Sequence, residues 1–314
     1  MIGGLLTACY TFAQICKAVT VKIRRTNGGE IMRQLLRYGL IVITALWLSA
    51  AWGESAKENS EAPVDEGLIA AIEGTHRTET FVARDAFRHP EETLAFFGIQ
   101  RDMTVVEIWP GSGGYFTEIL APYLRFSGKL YAAQFDPDTG RKYYTSAREK
   151  FLAKMAGNND VYGAVEITTF NPPTKTDIAP EGTADMVLTF RNVHNWYMGE
   201  GKDARVEAAF AAFYKALKSG GVLGVVEHQL PAERPDEAME NSGYMKKAYV
   251  IRMAKAAGFV LAAESDINAN PRDTADHPKG VWTLPPTLSL KEENRDHYLA
   301  IGESNRMTLK FLKP

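Results

Sequence analysis

The chain has 314 residues, 45% of them hydrophobic and 24% charged, with 36 Lys and Arg against 38 Asp and Glu. Residues 1–53 hold six of those basic residues and one of the acidic ones, which leaves 30 against 37, a net charge of −7, for the rest; nucleic acid is therefore not an expected partner. Both cysteines, Cys9 and Cys16, fall in the same leading stretch, so the remainder excludes a disulfide framework, thiolate metal sites and a cysteine nucleophile.

Met32 to Arg37 is a basic n-region, Leu40 to Ala51 an apolar h-region too short for an ordinary membrane span, and Ala51-Trp-Gly53 a small-residue cleavage site. Residues 1–53 thus read as a leader with a signal peptide, Met32 as the expected start, and the folded part as exported, periplasmic or secreted. The alternative is an uncleaved N-terminal anchor. Residues 54–89 read as a polar spacer followed by a helical segment, and 90–314 as one α/β domain without internal repeats.

Val64, Leu68, Ile69 and Ile72 predict a short helix, and Thr80 to Phe87 a second helical segment carrying Arg84 and Asp85, with Arg88 after it. Pro90 with Glu91 and Glu92 opens a clearer helix that stops at Gly98. Thr104 to Trp109 is the first strand, with Glu107 inside its apolar run. Gly111, Gly113 and Gly114 then form a turn, and Phe116, Ile119, Leu120 and Tyr123 a helix expected to end near Pro122. Lys129 to Phe135 predicts a second strand ending at Asp136-Pro-Asp138, Arg141 to Met155 a helix, Val165 to Phe170 a third strand and Ala184 to Phe190 a fourth.

The fourth strand runs into the polar cluster Arg191-Asn-Val-His-Asn-Trp196. Asp203 is expected to cap the next helix, whose stripe of Val206, Phe210, Phe213 and Leu217 ends at Ser219-Gly-Gly221. Val222 to Val226 is the fifth strand, followed by Glu227 and His228; one helix is expected from Met239 to Ala257, a sixth strand at Phe259 to Ala262, and a last strand at Met307 to Leu312. Such alternation predicts a doubly wound, mostly parallel sheet with ligands at the C-terminal strand ends, where the glycine turn, Asp136, the 191–196 cluster and His228 all fall.

A dinucleotide fingerprint would require glycine at Phe116, and no G-x-x-x-x-G-K-[ST] occurs, so neither an NAD site nor a P-loop is expected. The segment Glu107 to Gly113, the Asp-Pro after strand two, Ala184-Asp-Met-Val-Leu, Leu217-Lys-Ser-Gly-Gly-Val-Leu and Ala257-Gly-Phe together resemble the class I S-adenosylmethionine-dependent methyltransferases over nearly all of 90–314. Arg88-His-Pro-Glu-Glu-Thr-Leu, Glu107-Ile-Trp-Pro-Gly and Arg191-Asn-Val-His-Asn-Trp further resemble a subgroup of exported bacterial proteins described as predicted methyltransferases. The resemblance implies a Rossmann-like seven-stranded sheet with an antiparallel last strand, and S-adenosylmethionine held by Glu107, Trp109, Gly111, Gly113, Gln134 or Asp136, and Asn192. Two positions depart from the family pattern. Trp109 stands where glycine is usual, under the methionine part of the cofactor, and Gln134 aligns best with the ribose-binding acid unless Asp136 takes that role.

His194, with Asn192 beside it, is the candidate for proton removal from an acceptor; the bland alternative is a structural imidazole bonded to Asn192 or a backbone carbonyl. Trp196 would stack on a ligand or brace the loop. Glu107 is expected to accept from backbone N–H groups of the turn. Arg84, Asp85, Arg88 and His89 read as a flap over the cofactor or a solvated helix face, Glu303 and Arg306 as a local ion pair, and Asp276-His277-Pro278 with Trp282 as a substrate lid. The six histidines show no H-x-x-x-H or H-E-x-x-H spacing, so no metal is expected. The sequence therefore predicts a methyltransferase acting on a small molecule. Two rivals remain open: a non-catalytic exported binding protein that keeps the fold, and a nicotinamide oxidoreductase.

Overall fold

Val105, Val106 and Ile108 are buried because β1 (Thr104–Ile108) lies at the centre of a sheet, parallel to β2 (Lys129–Phe135) on one side and β4 (Ala184–Phe190) on the other. Val106 stands opposite both Tyr131 and Val187. Outside these, β3 (Val165–Phe170) pairs with β2 and β5 (Leu217–Leu230) with β4, again parallel; β9 (Arg306–Leu312) is antiparallel to β5 and to β7 (Val260–Ser265). The order is β3-β2-β1-β4-β5-β9-β7, a doubly wound sheet with an antiparallel last strand, as the resemblance implied. A two-residue strand, β6 (Met245–Lys246), adds to the end of β5 as an eighth. This computed structural model describes residues 65–314, so the leader, the start at Met32, the cysteines and the spacer before Asp65 lie outside the described residues.

Alternation along β1 sends side chains into two cores. Val105 joins Leu94, Phe97, Ile119, Leu120 and Phe151 on one face, whereas Val106 and Ile108 join Val206, Phe210, Phe213 and Met253 on the other. The first layer is built by α4 (Pro90–Phe97), α5 (Thr117–Leu124) and α6 (Lys142–Gly157). The second is built by α9 (Lys202–Ala216) and α11 (Lys247–Ala256). Short helices α7 (Asn159–Tyr162), α8 (Val193–Tyr197), α10 (Met239–Ser242) and α12 (Arg295–Ile301) and the short strand β8 (Pro278–Val281) complete the connections.

Several boundaries differ from the expected ones for local reasons. α5 continues past Pro122, which cannot donate to the Glu118 carbonyl; the His76 ring donates to that oxygen instead, from 2.6 Å. Gly201, at φ 86°, caps α9, while Asp203 sits inside the first turn and accepts from the Tyr249 hydroxyl at 2.7 Å. Ser219-Gly-Gly221 belongs to β5 rather than to a helix end, and β5 continues to Leu230, so Glu227 and His228 lie within the strand. The single helix expected from Met239 to Ala257 is broken at Gly243 (φ 74°), where a Cβ would lie 2.6 Å from Val281, and the chain uses β6 before restarting as α11.

Residues 65–89 belong to the same compact unit as the rest of the described chain. They form α1 (Glu66–Ile72), α2 (Glu79–Val82) and α3 (Asp85–Arg88). Phe81 of α2 lies against Gly113 so closely that a Cβ there would be 2.4 Å from the ring, which ties that glycine to the packing of this segment. Arg77 pairs with Asp85 at 2.6 Å, and the buried Glu118 accepts from the Thr78 amide at 3.0 Å, pinning the segment over the glycine turn. Among the described residues no helix is long and apolar enough to cross a membrane.

Candidate active site

The strand order reverses between β1 and β4, and a cavity of about 490 Å³ opens above their C-terminal ends. That volume is in the range of small-molecule sites. One wall is aromatic: Trp109, Phe135, Tyr143, Tyr144 and Phe190, with Trp282 from the long insertion before β9. The other is polar: Arg84, Arg191, Asn192, His194, His228, Glu303 and Ser304.

Trp109 follows β1 with φ 47°, a backbone region unfavourable for a bulky residue. Its indole is held by neighbours that outweigh the strain. Nε1 donates to the Phe170 carbonyl at 2.8 Å, and the ring packs on Phe135, Tyr144, Phe170 and Trp196 at centroid distances of 4.8 to 6.1 Å. The indole thus turns toward the tops of β2 and β3 and forms the cavity floor. Gly111, at φ 76°, has nothing within 4 Å of where a Cβ would be and borders the cavity, whereas Gly113 is covered by Phe81 and does not.

The expected ribose-binding positions are occupied internally. Gln134 donates to the Gly111 carbonyl at 2.8 Å and accepts from the Phe135 amide at 2.8 Å, so it braces the turn. Asp136 accepts from Lys175 at 2.7 Å, Asn171 at 3.2 Å and the Asp138 amide at 3.1 Å. Neither lines the cavity. Glu107 also differs from expectation, since it accepts from the Thr117 hydroxyl at 2.6 Å rather than from turn amides. Burial pushes its carboxyl up to about 7, against the opposing Thr117 hydrogen bond.

Asn192 donates from Nδ2 to the Ile108 carbonyl at 2.8 Å, bridging β1 and β4 beyond their ladder while bordering the cavity. His194 is bonded neither to Asn192 nor to a carbonyl. Its Nδ1 lies 2.9 Å from Glu227 Oε1. Glu227 is buried in β5 and also accepts from the amides of Val193 at 2.6 Å, His194 at 3.3 Å and His228 at 2.8 Å. A carboxylate is an acceptor, so the network assigns the proton to Nδ1 and leaves the Nε2 lone pair for a ligand. Trp282 stands 6.1 Å from the imidazole, edge-on.

His228 borders the same cavity with its ring 5.2 Å from His194, and its Nδ1 meets the Ser304 hydroxyl. Burial first, then His194 and the guanidiniums of Arg191, Arg306 and Arg88, hold His228 well below the usual histidine range, so it is neutral at neutral pH. Ligand-type atoms of His194, Glu227 and His228 lie within 4.8 Å of one another, which spacing along the chain did not reveal. The donor set suits a cation poorly, because Glu227 already accepts from four groups and arginines surround His228.

Trp196 is fully buried against Trp109, Phe170 and Phe213 and braces the floor without reaching the cavity. Val281, Trp282 and Pro285 to Thr287 border the cavity, whereas His277 is turned away onto Asp273 at 2.8 Å. Arg88 is buried, not part of a solvated face, and Glu303 makes the expected local pair with Arg306 at 3.2 Å but is more than that, since it also meets Arg84 at 2.6 Å and Arg88 at 3.3 Å. Sequence reasoning missed this convergence and the role of Glu227. The available signal was faint: a glutamate at the end of an otherwise apolar strand, and arginines in the 84–89 segment and beside Glu303 with nothing along the chain to bring them together.

No family model and no curated protein matches the chain. Among solved structures it is similar to a SAM dependent methyltransferase from Aquifex aeolicus, at 15% identity over 74% of this chain and 93% of that one, TM-score 0.47. It is also similar to geranyl diphosphate C-methyltransferase from Streptomyces coelicolor A3(2), at 14% identity over 80% and 88%, TM-score 0.47. A third is phosphoethanolamine N-methyltransferase 2 from Haemonchus contortus, at 14% identity over 80% and 61%, TM-score 0.48. The likeness is one of chain path, and the chemistry rests on the residues of the cavity itself.

Proposed function

We propose that the protein is an S-adenosylmethionine-dependent methyltransferase acting on a small-molecule oxygen or nitrogen nucleophile. The observation that carries this reading is the meeting, at one switch-point cavity, of the β1 glycine turn with a histidine held by a buried carboxylate. The residues fit the cofactor in part. Gly111 leaves the turn open to a ligand's close approach, Asn192 borders the same space, and Phe135, Tyr143 and Tyr144 supply faces for a nucleobase. The ribose would lie against these aromatic groups and Trp109 without an acidic clamp, since Gln134 and Asp136 are already engaged.

The bound cofactor supplies an electrophilic methyl group. The protein's part is alignment and a proton acceptor. His194 Nε2 takes the proton from the acceptor nucleophile, and Glu227 holds the imidazole in the required tautomer and stabilises the imidazolium that forms. Trp282 and the 281–287 insertion close over the ring and limit water. Calorimetric titration with S-adenosylmethionine and S-adenosylhomocysteine tests the reading: saturable binding of both is expected, and no heat or thermal shift at about 1 mM would sink it.

A second reading is a non-catalytic binding protein that has kept the fold. The internal engagement of Gln134 and Asp136 favours it. Export, expected from residues 32–53, favours it too, because it would separate the cavity from a cytosolic cofactor supply. Absence of S-adenosylmethionine and S-adenosylhomocysteine binding in a folded wild-type protein whose Tm is raised by another small molecule would favour this alternative.

A further inference from the structure

Four arginines from three segments converge at one end of the cavity: Arg84 and Arg88 at the two ends of α3, Arg191 after β4 and Arg306 at the start of β9. Arg84, Arg88 and Arg306 share the single carboxylate of Glu303. Arg191 makes no side-chain hydrogen bond or ion pair among the described residues, and it borders the cavity with φ 62°. Nη2 of Arg84, Nη2 of Arg88 and Nε of Arg306 are buried without a partner among the described residues. Arg88 and Arg306 are 3% and 4% exposed, so solvent does not supply what they lack.

Charge does not balance here. Four guanidiniums face Glu303, with Glu227 as the next carboxylate on the Arg191 side. Two positive charges therefore remain uncompensated on a cluster whose rear pair, Arg88 and Arg306, is buried and whose front pair, Arg84 and Arg191, is half-buried at the cavity, an arrangement that a bound anion would stabilise. Burial and mutual repulsion accordingly push the guanidiniums down, Arg88 to about 9 and Arg191 and Arg306 to about 10, while still leaving them charged at neutral pH. Behind the main cavity, Arg88, Arg191 and Arg306 border a void of about 10 Å³, room for about one water, which is too little to neutralise them.

We propose that the arginine end of the cavity, Arg84 and Arg191 in front of Arg88 and Arg306, binds a dianionic oxygen group, a phosphate ester carried by the acceptor molecule. The inference rests on the methyltransferase reading for the word acceptor, but the anion site itself does not. A carboxylate would balance one of the two excess charges; a phosphate dianion balances both. Planar guanidinium forks suit phosphate oxygens, and the arginines present them from two sides of Glu303. His194 borders the same polar wall, its ring 5.2 Å from that of His228, which meets Ser304, so an acceptor anchored by its phosphate would hold a neighbouring nucleophile near the imidazole.

Inorganic phosphate is the probe, titrated into the full chain by calorimetry and thermal shift, with and without saturating S-adenosylhomocysteine. Phosphate is expected to bind and raise Tm in the wild type. Arg191→Ala is expected to weaken it about ten- to hundredfold, and Arg84→Gln, a milder change at the cavity mouth, about tenfold. Acetate at equal ionic strength should give a smaller shift. Phosphate binding that persists beside S-adenosylhomocysteine assigns the site to the acceptor. Displacement of phosphate by S-adenosylhomocysteine would give the arginines to the cofactor's carboxylate and overturn the proposal. So would the absence of phosphate binding at about 10 mM, or affinity unchanged in both variants. Failure of S-adenosylhomocysteine to bind while phosphate binds would instead remove the methyltransferase reading and leave the anion site standing.

Discussion

His194 is the residue whose chemistry depends most on one contact. Glu227 fixes its tautomer, so His194→Gln should lower kcat by about 10²- to 10⁴-fold while the circular dichroism spectrum and Tm stay near wild type. A similar loss of Tm and kcat together would mean that the imidazole is structural. Trp109 carries both strain and packing. Its left-handed backbone favours glycine, but its indole contacts four aromatic rings, and the second effect is larger: Trp109→Gly should destabilise the protein by about 3 kcal/mol, read from urea unfolding. Glu107 behaves oppositely to most carboxylates. Burial raises it from 4.5 to about 7, so the native state holds a proton that the unfolded chain has lost. Its contribution is therefore complete below about pH 4.5 and is lost as pH rises through about 7. Glu107→Gln should flatten Tm across that interval and gain up to about 3 kcal/mol at pH 8.

Elements are joined here by a few buried polar groups. The insertion that includes β8 and brings Trp282 to the cavity is tied to the start of β9 by Asp273, which accepts from the Asn305 amide at 2.7 Å, the Ala275 amide at 2.9 Å and the Tyr244 hydroxyl at 3.0 Å. Removing it would leave those buried donors unpaired. Asp273→Ala should cost about 3 kcal/mol and make residues 274–294 the first site of tryptic cleavage, since that stretch would open before the sheet does. Uniform resistance to trypsin in the variant would show that the insertion is held by Val281 and Leu284 packing instead. Gly243 acts similarly at a smaller scale, because the break it allows lets β6 reach β5 and lets Val281 sit against it.

The whole molecule is closed by the arginine cluster, since Glu303 gathers residues 84, 88 and 306 from opposite ends of the described chain. Burial alone would raise that carboxyl, but Arg88, Arg306, Arg84 and Arg191 outweigh it and hold it at about 2. Its stabilising contribution is present above the unfolded value near 4.5 and is lost as pH falls through about 2. Acid unfolding should accordingly steepen below pH 4.5 and pull the 65–89 segment off the sheet early, visible as loss of amide protection around Phe81 and Tyr115 before the strands. Glu303→Gln should destabilise at neutral pH by about 3 kcal/mol, because the guanidiniums would lose their internal counter-charge.

Much of the fold was legible because burial and period repeat along the chain. β2 and β4, inside the sheet, occupy the stretches their apolar runs predicted, the edge strand β3 the stretch its β-branched run predicted, and Gly98 ends α4 where expected, at φ 81°. These signals are local: a strand flanked on both sides must be apolar, and a helix end in the left-handed region selects glycine. The position of the cavity was legible too, because strand order forces ligands to the β1 and β4 ends. What each polar residue does there was decided only by the tertiary structure. Gln134 and Asp136 had the right chemistry for a ribose, yet near neighbours in space already satisfy them. Glu227 and His194 are 33 positions apart, and Glu303 meets arginines 215 and 219 positions away. Hydrogen bonding and charge pairing are satisfied by whatever the fold brings within about 3 Å, and no periodicity along the chain records that distance.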